Sequence, residues 1–418
     1  MRETRSLTEA DLDAFITVAG NAYPGFPLFS EDDRQKFKRQ LAEQDADPAI
    51  DLYGLFEDGA LVGGMILYDF TMTVFEAQAL AGGVGLVGVD LLRKKEKVAR
   101  DLITAYLRHY RDRGAPLALL YPFRPDFYKA MGFGFGTKMN GYRVRPSALP
   151  QRGSKEHLRL LGPEDRQLRA ACYARYARRT HGMIQHHRLD VERLFTNPKV
   201  LVAGYQPGAE LQGYLAFRFE PVEGGNFLLN DLIVSELVYE TPAALAALLT
   251  FLHTQADQVN LIHFNTQDDS FHHLLADPRD NTNRMLPSVY HESNTQAVGL
   301  MYRVLDTPRL FAALAGHRFG SETCVVNLTI RDTLLPEQAG SFAVRFEDGH
   351  AQLIEEGAGD AAVEVALAVA EWSSLVMGCV EFDQLVAYGL ASVSDLSAVE
   401  TITRLFRAPR RPVCTTAF

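Results

Sequence analysis

A weak internal repeat constrains the fold of this chain more than any other feature of the sequence. The segment at residues 56–67, "FEDGALVGGMIL", resembles the segment at residues 205–217, "YQPGAELQGYLAF", which has one residue inserted. Each copy is followed by a strand pattern, an amphipathic helix pattern and a second strand pattern, which ends in "LALLYPF" or "VNLIHFN". The same order of elements in both copies predicts a duplicated α/β unit.

The rest of the chain indicates further domains. Its 418 residues leave room for two or three domains of about 150 residues each. Residues 96–113 place apolar side chains at a 3.6-residue period, which predicts a helix with one buried face. After residue 296 the pattern changes to short alternating strands followed by two helical stretches. We therefore predict an α/β (α+β) fold with domains at residues 1–148, 149–296 and 297–418.

Composition argues against several classes of function. The net charge of −10 argues against nonspecific nucleic-acid binding, which needs a basic face. No apolar run reaches the ~18 residues of a membrane span and no signal-peptide pattern opens the chain, so we expect a cytoplasmic protein. The four cysteines form no CxxC pair, and the histidines show no ligand spacing, so neither a disulfide framework nor a metal site is expected.

A candidate anion site lies in "GGVGLVGVDLLRKKEKVAR", residues 82–100. A glycine-rich strand leads through a basic cluster into a helix, whose first N–H groups and positive dipole end suit a pyrophosphate. The glycines at 82, 83, 85 and 88 leave the strand with little side-chain cover, so that an extended ligand could pair with its backbone. Arg93 and three lysines supply charge. The residues alone leave the alternative of a solvated charged turn open.

A second motif carries a family resemblance. "DFYKAMGFGFG" contains F-Y-x-x-x-G-F, formed by Phe127, Tyr128, Gly132 and Phe133. Following a V-x-V strand and a basic loop, it resembles the GNAT superfamily of N-acetyltransferases. In that family a loop of the form Gln/Arg-x-x-Gly-x-Gly/Ala holds the pyrophosphate of acetyl-CoA, and the V-x-V backbone pairs with the pantetheine arm.

The loop of this chain departs from the family pattern at one position. The matching residues 94–99 read "KKEKVA", so that Ala99 fits the pattern and Lys94 keeps the charge. Lys97 replaces the glycine, and Leu91 stands where family members often have proline. The carry-over implies these acetyl-CoA contacts: Val87, Gly88, Val89, Lys94, Lys95, Glu96, Lys97, Val98, Ala99, Arg100, Phe123 and Arg124.

The layout as a whole is similar to the "enhanced intracellular survival" (Eis-like) branch of this superfamily. That resemblance implies two tandem GNAT-like mixed-sheet domains, the second a scaffold, followed by a sterol-carrier-like α+β domain, in a homo-hexamer. It also implies that the terminal carboxylate of Phe418 reaches the active site of the first domain as proton acceptor and that Tyr128 is the proton donor. Without the resemblance, Tyr128 is a packed core tyrosine and Phe418 a frayed tail.

The expected activity is that of an acetyl-CoA-dependent N-acetyltransferase. The acceptor would be an amine of a small cationic molecule or a protein lysine, attacking directly in a ternary complex because no cysteine lies near the motif. Complete proton transfer from an ordinary tyrosine, pKa ~10, to a thiolate, pKa ~8.5, is uphill by ~2 kcal/mol, so a strengthening hydrogen bond is the more secure role. Two alternatives stand: a non-catalytic or altered-cofactor protein, motivated by Lys97, and a lipid-binding protein with a cavity under Trp372.

Overall fold

The structure, a computed structural model, describes residues 2–26, 28, 30–225, 227–355 and 363–418. The α-helices of these residues are α1 (Leu12–Ala22), α2 (Glu31–Asp45), α3 (Val98–Asp112), α4 (Pro125–Ala130), α5 (Arg166–Arg179), α6 (Arg188–Thr196), α7 (Pro242–His253), α8 (Thr307–Ala313), α9 (Val369–Val376), α10 (Phe382–Ala387) and α11 (Val399–Phe406). The strands are β1 (Arg2–Ser6), β2 (Ile50–Glu57), β3 (Ala60–Val74), β4 (Ala77–Val89), β5 (Leu117–Leu120), β6 (Gly134–Phe135), β7 (Met139–Val144), β8 (Leu158–Leu161), β9 (Leu201–Tyr205), β10 (Gly213–Pro221), β11 (Asn230–Tyr239), β12 (Val259–Thr266), β13 (Met285–Leu286), β14 (Tyr290–His291), β15 (Thr295–Ala297), β16 (Met301–Val304), β17 (Cys324–Arg331), β18 (Gly340–Glu347), β19 (His350–Ile354), β20 (Val363–Ala368) and β21 (Ala391–Val393).

Two compact units interleave along the sequence. The first comprises Met1–Gly136, Leu300–Pro412 and Ala417–Phe418, and the second comprises Thr137–Gly299 and Val413–Thr416. This grouping follows compactness and places the first and third parts of the chain in one unit. The domain boundaries predicted at residues 148 and 296 rest on sequence patterns instead of compactness, and they stay a prediction.

The main sheet of the first unit has the order β1-β2-β3-β4-β5-β16-β6. β4 and β5 run parallel, as the strand–helix–strand pattern predicts, with α3 as the crossover. β16 pairs antiparallel with both β5 and β6, and its residues are all buried. The sheet is therefore completed by a strand that comes after residues 137–299 of the second unit in the chain.

Helix α3 covers this sheet with the face that the sequence predicts. The side chains on that face are each no more than 1% exposed, and they are Val98, Leu102, Ile103, Tyr106, Leu107 and Tyr110. At the N-terminal end of the unit, Thr8 forms a capping box, with Asp11 as its partner at 2.8 Å. A short 3₁₀ turn then leads into α1.

The third part of the chain forms a smaller sheet within the first unit, in the order β19-β18-β17-β20-β21. The ring of Trp372 is 0% exposed, packs against Phe311 and Phe406, and donates from Nε1 to Thr307 Oγ1 at 3.1 Å. Phe319 and other aromatic rings extend the cluster. These contacts pack side chains of the protein directly against the Trp372 ring, and the lipid-binding alternative stays a prediction.

The second unit contains a sheet in the order β15-β7-β12-β11-β10-β9-β8. β11 and β12 are parallel and α7 connects them, as β4, α3 and β5 are arranged in the first unit. The predicted duplication of an α/β unit and the mixed α/β class are confirmed. Among the residues that the structure describes, no helix is long and apolar enough to cross a membrane.

Candidate active site

Strands β4 and β5 separate at the centre of the first sheet. Their pairing runs from Ala81 opposite Leu117 to Val84 opposite Leu120, where β5 ends. β4 continues to Val89 and pairs with β3 alone, with a bulge at its pairing with Ile66. Among the residues that the structure describes, no strand therefore pairs with residues 85–89 on the side of β5. This open backbone edge contains the predicted contacts Val87, Gly88 and Val89.

The glycine faces of β4 are covered, contrary to the prediction from the sequence. A Cβ on Gly82 would lie 2.2 Å from the ring of Tyr110, and one on Gly83 would lie 2.3 Å from the ring of Phe70. These glycines let aromatic side chains approach the strand. At Gly82 and Gly83 the strand is covered by these rings and does not have the uncovered surface expected from the sequence. A ligand can therefore reach β4 along its edge.

The basic loop has a glycine-like backbone although it contains no glycine. Lys95 has φ +69°, and Lys97, at the N-cap of α3, has φ +67° and ψ +7°. The left-handed conformation costs an L-residue roughly 1–2 kcal/mol. Such strain collects at functional sites, where the surrounding structure holds it. The replacement of the family glycine by Lys97 thus leaves a backbone conformation that glycine favours.

Free positive charge remains in this loop. Arg93 pairs with Glu57 at 3.1 Å and with Glu96 at 3.3 Å, so it does not supply the charge expected from the sequence. The side chains of Lys94, Lys95, Lys97 and Arg100 are exposed and form no ion pair within the described parts of the chain. In particular, the side chain of Lys97 is not buried in a groove.

The start of α3 presents unpaired N–H groups beside these cations. The first helical hydrogen bond is donated by the N–H of Asp101 to the carbonyl of Lys97, at 2.9 Å. The N–H groups of Val98, Ala99 and Arg100 have no backbone acceptor among the described residues. The unpaired N–H groups, the positive end of the helix dipole and the exposed lysines of the loop together suit a pyrophosphate.

Tyr128 lies in α4 with its ring buried in the core cluster that also includes Val98, and Val87 and Val89 pack against this cluster. Its hydroxyl makes no hydrogen bond within the described ranges of the chain. Burial raises the pKa of Tyr128 well above its ordinary value, with a further contribution from the nearby Tyr23. The hydroxyl therefore stays protonated at neutral pH and is available as a donor.

The two remaining predicted contacts follow β5. Phe123 is 68% exposed and packs edge-on against the ring of Tyr23, with centroids 6.4 Å apart. Tyr23, which belongs to no motif in the sequence, donates from Oη to the carbonyl of Val87 at 3.0 Å. Arg124 is exposed and pairs with Asp126 at 2.5 Å. Phe123 thus lies near the open strand edge, whereas Arg124 contacts its own helix.

Phe418 is held by aromatic side chains and is not frayed. Its ring lies 4.7 Å from that of Phe70, 5.2 Å from that of Tyr121 and 5.7 Å from that of Tyr68, measured between centroids. Its carboxyl carbon would lie 3.4 Å from a Cβ built on Gly85, and the Tyr68 hydroxyl would lie 3.5 Å from the same point. The terminal carboxylate therefore lies against β4 where the open edge begins.

The second unit lacks the features of this site. Its equivalent helix, α7, begins with Pro242, which has no N–H to offer. Glu240, just before it, is paired with Arg175 at 2.7 Å and Arg179 at 3.5 Å. An acidic residue and a proline at this helix start disfavour a phosphate. Among the described residues, no group of three His, Cys, Asp or Glu side chains is arranged to hold a metal ion.

The parallel strands β4 and β5 separate, and the N-terminus of α3 has unpaired N–H groups that suit an anion. This combination agrees with the acetyltransferase class inferred from the sequence. Residues 3–136 and residues 156–304 each match a family described as an acetyltransferase (GNAT) domain, and residues 310–415 match a sterol carrier protein domain. The chain belongs to the GNAT acetyltransferases, with two such domains and a C-terminal sterol carrier domain. It is an acetyltransferase, and its GNAT domains imply acetyl-CoA as co-substrate.

Known proteins resemble the chain along its whole length. An uncharacterized N-acetyltransferase of Streptomyces coelicolor is 28% identical over 409 residues, covering 93% of this chain and 92% of the relative. A GCN5-related N-acetyltransferase from Anabaena variabilis has a TM-score of 0.82 at 16% identity, with 100% of both chains covered. Eis1 from Mycobacterium abscessus has a TM-score of 0.78 at 21% identity, also with 100% of both covered. The resemblance to the Eis-like branch is confirmed in domain composition and fold.

Proposed function

We propose that this acetyltransferase transfers the acetyl group of acetyl-CoA to an amine of a small cationic molecule or a protein lysine, by direct attack in a ternary complex. One observation carries the proposal: the Phe418 carboxylate lies at Gly85, on the strand whose next residues form the open edge. A pantetheine arm on that edge would bring the thioester and the carboxylate to one strand. The loop at residues 94–100 would hold the pyrophosphate.

The proposed chemistry balances on the residues of this chain. The neutral amine attacks the acetyl carbonyl carbon, the C–N bond forms, and the C–S bond breaks as the electron pair passes to sulfur. Tyr128 donates a hydrogen bond that strengthens as charge develops on that sulfur. Because burial raises the pKa of Tyr128, complete proton transfer is more uphill than for an ordinary tyrosine, which favours this hydrogen-bonding role.

The terminal carboxylate has two proposed roles. It attracts the cationic acceptor, with an interaction of about 4 kcal/mol for charges ~4 Å apart at an effective dielectric constant of ~20. It also accepts the proton of the attacked nitrogen once bond formation has made that nitrogen acidic. A carboxylate of pKa ~3.5 cannot easily deprotonate a free ammonium of pKa ~10, so the acceptor loses its first proton to water and attacks as the neutral amine, and the carboxylate accepts only the second proton, which the nitrogen releases after attack.

Binding is tested by calorimetry with acetyl-CoA at up to millimolar concentration. Saturable binding supports the proposal, and no binding would leave the altered-cofactor alternative in its place.

The carboxylate is tested by adding Gly-Ser after Phe418, which moves the terminal charge away from Gly85. We expect the acetylation rate to fall at least about 100-fold with an unchanged melting temperature, as for other general-base groups. The matched control Phe418→Tyr keeps the carboxylate and should stay within a few-fold of the natural chain. An unchanged rate after the extension would remove the carboxylate from the mechanism.

We also propose, from the family resemblance, a cytoplasmic homo-hexamer in which the second GNAT domain is a scaffold. Pro242 and Glu240 at the start of α7 support the scaffold role, because neither favours a phosphate there. Analytical ultracentrifugation measures the oligomeric state. A binding stoichiometry of one acetyl-CoA per chain, measured in the same titration, is the outcome expected from a single loaded domain.

A further inference from the structure

Arg303 in β16 is a fully buried cation with fixed partners. Its Nη1 donates to the carbonyl of Met131 at 2.7 Å, and its Nη2 donates to Asp332 Oδ2 at 2.5 Å. The other oxygen of Asp332 accepts from the N–H groups of Leu334 at 3.0 Å and Leu335 at 2.9 Å. Since Asp332 is fixed to its own loop, the orientation of the guanidinium is fixed too.

The Met131 carbonyl belongs to the turn that ends α4. The carbonyl of Tyr128 accepts from the N–H groups of Met131 at 3.0 Å and Phe133 at 3.1 Å, which closes this turn. Gly132 within it has φ +84°, and a Cβ there would lie 1.6 Å from Arg303 Nη1. The glycine of the F-Y-x-x-x-G-F motif thus makes room for the guanidinium, and Arg303 donates directly to the turn that follows Tyr128.

We propose that Arg303 is a positioning residue for Tyr128: it fixes the turn after α4 and thereby the direction of the Tyr128 hydroxyl. This inference rests on the proposed donor role of Tyr128. A planar guanidinium bonds the Met131 carbonyl and Asp332 at once with separate nitrogens, whereas a lysine ammonium at the end of a flexible stem cannot reproduce that fork. The sterol carrier domain, which supplies Asp332, therefore contributes to the acetyltransferase site.

The test combines Arg303→Lys with Tyr128→Phe in single and double variants, measuring kcat, KM for acetyl-CoA and the melting temperature. Arg303→Lys is expected to lower kcat about 10- to 100-fold, the effect of misplacing a reacting group by about 1 Å, with KM for acetyl-CoA within about threefold. In the Tyr128→Phe background the same change is expected to lower kcat by less than about threefold, because residues that act through one group are not additive. The matched control Arg309→Lys alters an exposed arginine that also donates to a backbone carbonyl, that of Arg111, and should leave kcat unchanged.

The outcomes separate this inference from the proposed function. If Tyr128→Phe leaves kcat unchanged, the donor role fails and the positioning role fails with it. If Tyr128→Phe lowers kcat but Arg303→Lys does not, or if the two losses multiply in the double variant, only the positioning role is overturned. A double variant, Arg303→Gln with Asp332→Asn, removes both buried charges together, so that neither is left unpaired. Its kcat is compared in the natural and the Tyr128→Phe backgrounds in the same way. Loss of the fold in both Arg303 variants would assign the residue to stability and overturn the inference.

Discussion

The left-handed backbone at Lys97 makes a quantitative prediction for Lys97→Gly. Glycine removes a strain of roughly 1–2 kcal/mol at φ +67°, and its greater freedom in the unfolded chain costs about 0.5–1 kcal/mol. The free energy of unfolding should therefore rise by up to about 1.5 kcal/mol. Lys94, in the same loop, has φ −61° and ψ +140°, so Lys94→Gly gains no strain relief and should be destabilising by about 0.5–1 kcal/mol.

Ligand affinity separates the backbone of Lys97 from its charge. Loss of one exposed cation is worth about 0.2–1 kcal/mol, which is at most about a fivefold weaker Kd for acetyl-CoA. Lys97→Ala and Lys97→Gly both lose the charge, so their Kd values should agree within about twofold while the glycine variant is the more stable. Chemical denaturation and calorimetry on the same preparations measure both quantities. If Lys97→Gly is less stable than Lys97→Ala, the assigned backbone angle is wrong. If both bind acetyl-CoA more tightly than the natural chain, the lysine side chain obstructs the site.

Two further predictions concern regions outside the loop. Arg159 donates hydrogen bonds to Asp165, the shorter of which is 2.6 Å, and they lower the pKa of Asp165 to about 2. The contribution of Asp165 to stability is therefore fully present above its unfolded pKa of ~3.9 and is lost as the pH falls through about 2. Asp165→Asn should lower the melting temperature at pH 7, with a difference that closes between about pH 4 and pH 2; a gap of constant size across that window would contradict the assignment. Trp372 is the only tryptophan of the sequence, and its fluorescence therefore reports on the sterol carrier domain alone. Because its ring is buried and packed against Phe311 and Phe406, we expect no change in its emission on adding fatty acid, and a saturable shift would support the lipid-binding alternative.

Local patterns in the sequence predict the elements around the site well. The apolar face of α3, the strands β4 and β5 on either side of it and the position of the basic loop all follow from residues close together in the chain. The sequence pattern does not predict helix α2, because only its Leu41 side chain is buried and the helix therefore shows no apolar stripe. The eight residues of α11 are too few to establish a period.

The contacts that complete the site could not be predicted in the same way. Strand β16 reads as the start of a new domain, and nothing local indicates that it pairs with β5 and β6. Tyr68 and Phe70 alternate correctly for a strand, but a phenylalanine at the end of the chain carries no signal that it packs on them. The covered glycines of β4 show the same limit, because only the fold reveals which aromatic rings they admit.

The arrangement of the first unit links the sterol carrier domain structurally to the GNAT sheet. It is continuous with β16, which lies between β5 and β6, and with Arg303, which bonds the turn after Tyr128. A domain added for an independent function would need a surface of its own, whereas here the strand that directly precedes it, β16, is buried in the sheet that forms the open edge. The proposed positioning role of Arg303 gives the sterol carrier domain a structural part in the transferase site, and the packing of Trp372 against Phe311 and Phe406 agrees with that part.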